Sequence, residues 1–151
     1  MPYSLSMLET ILVSNELTFI FNVVLSVIVG FAIGIERESR GKDAGISTHT
    51  LVIMGSMLFT FLSLQIEPDH SSRIAAQIVT GIGFLGAGLI LKEGTTVRNL
   101  TTAASLWFAA AIGMAFGFGF YIVGIVSALV AILILHVPHL VSPRNKDCEI
   151  H

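Results

Sequence analysis

Charge is the scarcest commodity in this 151-residue sequence: only 12% of its residues are Asp, Glu, Lys or Arg, about half the share typical of soluble domains. The few charges are also confined, since the eight basic and ten acidic residues fall between or beyond long apolar runs. An ordinary soluble protein is thereby excluded. A single cysteine, Cys148, leaves no intramolecular disulfide to form. A net charge of −2 gives no reason to expect a nucleic-acid partner. Residues 1–16 contain Glu9 and Glu16 but no Lys or Arg, so the basic start of a cleavable signal peptide is missing. The sequence also has no Walker A string and no phosphorylatable Asp motif of an ion pump, which excludes an ATP-driven pump by itself. No enzymatic chemistry is expected.

What remains is hydrophobic: 54% apolar residues and a mean hydropathy of +0.85. Uncharged apolar stretches cover residues 17–35, 51–66, 74–91 and 101–137. The last would be over about 50 Å long as one helix, against a hydrocarbon core of about 30 Å, so it must divide. Gly117, Gly119 and Tyr121 supply the break and an interfacial anchor. The expected fold is an all-α, polytopic bundle of five transmembrane helices occupying residues 17–137. Residues 1–16 form an external segment, either a short amphipathic helix on the membrane surface or a loosely ordered terminus, and residues 138–151 form a cytoplasmic tail. Seven of the eight basic residues then fall on one side, with Arg73 alone opposite. By the positive-inside rule the N-terminus is outside and the C-terminus is cytoplasmic.

Small residues indicate packing. Asn22, Ser26, Gly30 and Gly34 recur every four residues along the first span, with Gly30 and Gly34 as a GxxxG pair, and that face should touch another helix. The third span carries Thr80, Gly81, Gly83, Gly86 and Gly88 pointing in several directions, which predicts a position at the bundle centre. Its string Gly81-Ile82-Gly83-Phe84-Leu85-Gly86 fits a dinucleotide fingerprint by spelling only, because no strand or βαβ unit surrounds it. The fifth span, with a narrow stripe of Gly124, Ala128 and Ala131, reads as peripheral. Asn22 and Gln77 are the main intramembrane amides, expected to bond between helices or to line a passage.

Polar interest gathers on the cytoplasmic side, in Glu36, Arg37, Glu38, Arg40, Lys42, Asp43 and His49, and in Lys92, Glu93 and Arg98. Mg²⁺ would find oxygen ligands in Glu36, Glu38, Asp43 and Glu93, but the interleaved Arg and Lys make mutual pairing the simpler use. Glu36 is expected to meet Arg98 beside Arg37 at the inner mouth of the bundle. His136, His139, Cys148 and His151 are candidate ligands for a softer metal, yet Pro138 and Pro143 break up the segment and an unstructured tail is the plainer reading.

Several separated motifs occur in one order: Gly34-Ile35-Glu36-Arg37-Glu38, Ala44-Gly45 with Thr48-His49, Ala75-Ala76-Gln77-Ile78-Val79 running into Gly81 to Gly88, and Val97-Arg98 with Leu100-Thr101-Thr102-Ala103-Ala104 before Trp107. Over roughly residues 20 to 135 the sequence resembles the membrane domain of the MgtC/SapB family. It departs from that pattern at Ser47, where the family often has Arg, and at Asn99, where Gly commonly follows Val-Arg. The short extent resembles the SapB-like form, without the soluble C-terminal domain of virulence-associated members. The resemblance implies a multi-pass protein of the bacterial inner membrane with a role in magnesium homeostasis or stress adaptation, no resident cofactor, and action through contact with itself as a homo-oligomer or with a membrane partner such as the ATP synthase. The alternative is a small oligomeric channel or carrier for Mg²⁺ or another cation.

Overall fold

A computed structural model describes the backbone of residues 5–66, 72–93 and 96–136, and the side chains of 15–66, 72–91 and 97–136. The apolar runs become five helices, α1 (Leu5–Ser39), α2 (Ile46–Ile66), α3 (Ser72–Leu89), α4 (Leu100–Gly117) and α5 (Tyr121–His136). Lipid offers the backbone no hydrogen bonds, and helices satisfy theirs internally. Four of the five are long and apolar enough to cross a membrane, whereas α5 has only 16 residues, or about 24 Å. The long run does divide where expected. Helix α4 stops at Gly117, Gly119 takes φ +80°, a conformation that side-chain-bearing residues avoid, and α5 begins two residues later.

Two local features depart from the expectation. Residues 5–16 do not form a separate surface helix but continue α1 without interruption. The connection between α3 and α4 is not a loop: β1 (Leu91–Glu93) and β2 (Thr96–Arg98) pair antiparallel, with Leu91 opposite Arg98 and Glu93 opposite Thr96.

Helices α1 and α2 run antiparallel in one register: Asn15 donates to Gln65 Oε1 at 3.3 Å, the Phe19 and Phe61 rings lie 5.3 Å apart, and Gly30 faces Thr50. A methyl group at Gly30 would sit 2.5 Å from Thr50 Cα, and one at Gly34 would collide with the Ile46 backbone. The predicted GxxxG face therefore does receive another helix. On its opposite side α2 lies parallel to α4, where Gly113 abuts the Ile53 carbonyl and Gly117 abuts Thr60 and the Met57 carbonyl. The core is thus a three-helix slab with Ile33, Ile53, Met57, Ile112 and Phe116 buried inside it.

The third helix is not central. Half of α4 is buried but only 11% of α3, which contributes Ala75, Ile82 and Gly86 to the interior and leaves Gly81, Gly83 and Gly88 so open that a methyl group added to any of them would meet nothing within 4 Å. Its small residues permit close neighbours without possessing them; the centre belongs to α4, which touches all four other helices. Helix α5 is peripheral as predicted, held through Gly124, which packs against the Phe116 ring.

Candidate functional site: the polar end of the bundle

One end of the bundle gathers the C-termini of α1 and α5, the α1–α2 connection and the hairpin. Three contacts hold these together: Arg37 with Thr102, Asn99 with Asp43, and Glu36 with His136.

Arg37 lies three residues beyond Gly34 on the face that α1 turns inward, and it is only 2% exposed. Its Nη2 donates to Thr102 Oγ1 at 2.7 Å, while Nε is buried with no hydrogen-bond partner among the described residues. A charged guanidinium bonded to a neutral hydroxyl is a strong, geometrically demanding tie. Glu36, one residue earlier, points to a different side of the helix. In place of the expected Arg98 it meets Arg40, one turn on, and His136 Nδ1 at 3.4 Å. Arg98 closes β2 and is exposed.

Glu38 has a separate task. Its Oε2 accepts the Ile46 N–H at 3.3 Å, so a carboxylate stands at the N-terminus of α2, where unpaired backbone donors and the helix dipole favour negative charge. The four carboxylates considered for Mg²⁺ are accordingly dispersed where they are described: Glu36 to Arg40, Glu38 to the α2 N-terminus, Asp43 to Asn99. The Glu93 side chain lies outside the described residues, as do His139, Cys148 and His151 of the tail. His136 is not part of an unstructured tail, since it ends α5.

His49 is fully buried. Its Nδ1 is 3.0 Å from the Gly45 carbonyl, which can only accept, so Nδ1 carries the proton. Nε2 lies 3.2 Å from Ser105 Oγ, and that hydroxyl also reaches the Thr102 carbonyl at 2.8 Å. Arg37, Thr102, Ser105 and His49 therefore form one chain of polar contacts joining α1, α4 and α2. Sequence reasoning misses Thr102 and Ser105 as site residues; the signal that could have found them is their i, i+3 spacing at the start of α4. The packing pair Gly113 and Gly117 likewise has GxxxG spacing, disguised by the break at Gly117.

Along the predicted stripe of α1, Asn22 and Ser26 are buried, at 1% and 0% exposure, and neither Asn22 Oδ1 nor Ser26 Oγ finds a partner among the described residues. Gln77 and Thr80, by contrast, lie exposed on α3. Asn99 adopts φ 64° at the start of α4, the left-handed conformation in which Gly is at ease and Asn is the best tolerated substitute. That explains why Asn can stand in the position following Val97-Arg98.

The sequence matches the MgtC family over residues 23–142. The chain belongs to the MgtC family. Among MgtC-family relatives, it is 44% identical over 142 residues to the "Putative magnesium transporter YhiD" of Escherichia coli K12, covering 88% of this chain and 66% of that protein. It is 48% identical over 101 residues to "Protein MgtC" of Salmonella typhimurium strain LT2, covering 67% of this chain and 44% of that protein. A third relative, the uncharacterised protein slr0014 of Synechocystis, is 44% identical over 115 residues, covering 76% of this chain and 49% of its own. The chain thus spans less than two thirds of each of these MgtC-family proteins. No solved structure matches it.

Proposed function

We propose that this chain is a non-enzymatic, multi-pass protein of a bacterial inner membrane that serves magnesium homeostasis through helix contacts with a second copy or with a membrane partner such as the ATP synthase. The magnesium link rests on membership of the MgtC family and on the name carried by YhiD. The non-transporting mode rests on one observation: α2 is pressed between α1 and α4 at Gly30, Gly34, Gly113 and Gly117. Backbones that meet this closely leave no passage along the slab, and the buried arginine at its polar end is tied to α4 rather than facing a channel. The proposed orientation, with the polar end and C-terminus in the cytoplasm and α5 as a fifth crossing, is supported by Arg37, Arg40, Lys42 and Arg98 at one end against Arg73 at the other.

A second reading, an oligomeric Mg²⁺ channel or carrier, is favoured by Gln77 and Thr80 on the outward side of α3, where several copies could enclose them. Purified protein in liposomes loaded with a Mg²⁺-sensitive dye separates the two. Fluorescence indistinguishable from that of empty liposomes is expected; protein-dependent Mg²⁺ entry would replace the contact reading with the carrier.

A further inference from the structure

We infer that the cleft between α2 and α3 is a binding site for one acyl chain of a phospholipid. Helix α3 leans on α4 and touches α2 along only a short stretch, so the two helices diverge and leave a cleft of about 740 Å³ between them. The cleft is lined from Ser47 to Phe59 on α2 and from Ile74 to Leu85 on α3, with a wall that is almost wholly apolar.

Its dimensions select the occupant. Ser47 to Phe59 is about 18 Å of helix at about 1.5 Å per residue, so the volume corresponds to a channel only about 7 Å across, whereas a helix with its side chains needs about 10–12 Å. A transmembrane helix of a second copy or of another protein is too wide, and a single extended hydrocarbon chain fits. The ends match the same occupant. The hydroxyls of Ser47 and Thr48 stand at the polar-end mouth, beside the α1–α2 connection, where ester and headgroup oxygens would lie. Deeper in, Leu51, Ile82 and Leu85 face the hydrocarbon. Water is a poor filler for walls of this kind, because it needs two or more polar partners.

Two glycines make the site testable without rebuilding the bundle. Gly55 and Gly81 both line the cleft, and an added Cβ at either meets nothing within 4 Å. Leucines there would fill the cleft and leave the slab untouched. Gly83 offers the matched control, being equally open but not part of the lining.

The full chain is purified in mild detergent and phospholipid per chain is measured as organic phosphorus, together with the mass of the particle. The wild type and Gly83→Leu are expected to retain a tightly held phospholipid, and Gly55→Leu/Gly81→Leu to retain about tenfold less. Equal retention in all three overturns the site. A wild-type dimer that becomes monomeric in the cleft-filled variant, with phosphorus unchanged, also overturns it, since a second copy would then be the occupant. A measurement on the wild type alone guards against misfolding of the variant. In vesicles of phosphatidylethanolamine and phosphatidylglycerol carrying a photoreactive acyl chain, adducts should fall on Leu51 and Leu85 about tenfold more often than on Ile122 and Leu129 of α5, which are exposed to at least a similar degree. An even distribution means ordinary lipid contact and no site.

Discussion

Arg37 of α1 and Thr102 of α4 are joined by a buried 2.7 Å hydrogen bond although 65 residues separate them in sequence. The bond closes the polar end across the helix pair that makes few other contacts with each other, because α2 lies between most of α1 and α4. The same arginine leaves Nε without a partner among the described residues, so Thr102 provides much of what compensates its desolvation.

Removing that hydroxyl while keeping the volume is the direct test. Thr102→Val should lower stability by about 1.5–3 kcal/mol, the usual range for a bond to a charged group. Arg37→Met on top of Thr102→Val should cost less than the two single changes added together, because the hydroxyl and the guanidinium compensate one another. Thermal melting of the four proteins in one detergent gives the cycle, and strictly additive losses would show that the two side chains are independent.

The glycines of the slab and those of α3 should respond oppositely to the same substitution. Gly113→Ala forces a methyl against the Ile53 carbonyl, and overpacking of this kind costs about 1–3 kcal/mol. Gly83→Ala meets open space and should be neutral or gain up to about 1 kcal/mol from reduced chain entropy. Denaturation midpoints in a mixed-micelle titration rank the variants; a Gly83→Ala loss as large as that of Gly113→Ala contradicts the assigned order of burial.

Asn99 should be replaceable in one direction only. Gly tolerates φ 64° without strain, so Asn99→Gly should change stability by under about 1 kcal/mol despite the lost bond to Asp43, whereas Asn99→Val, β-branched and ill suited to that conformation, should cost about 1–3 kcal/mol. Proteolysis rates at the hairpin, compared with wild type, report the outcome. Equal protection of both variants means that the left-handed turn is not maintained.

Orientation is settled by reporters. Alkaline phosphatase fused after His136 should be inactive and fused after Ser71 active, as the distribution of basic residues requires. Activity at the first site and silence at the second would invert the proposed topology.

Some of this is legible in the sequence and the rest is hidden for physical reasons. Gly30 and Gly34 are readable because they lie on one stripe with Asn22 and Ser26, and a small stripe on an otherwise bulky helix has one natural use. The five-helix count is readable because Gly117, Gly119 and Tyr121 interrupt a run too long to be one helix. The centrality of α4 is not, since Leu100–Gly117 is apolar on every side and its periodicity singles out no face. For α3 the error has a different cause: an abundance of small residues records how near a neighbour could come, and says nothing about which neighbour does. At the polar end, charge alone does not tell Glu36 from Arg37. Their helical phase does, because Arg37 continues the inward face of Gly30 and Gly34 while Glu36 leaves it.

The uneven placement of tie points gives the bundle a mechanical polarity. Arg37 to Thr102, His49 to Ser105, Asn99 to Asp43 and Glu36 to His136 all fasten one end. The opposite end is held by ring contacts, Phe19 with Phe61 and Phe21 with Tyr121, and by the exposed bond from Asn15 to Gln65. Helices clamped at one end and merely packed at the other come apart like a clothes-peg, with the loosely held tips separating first and the fastened end giving way last.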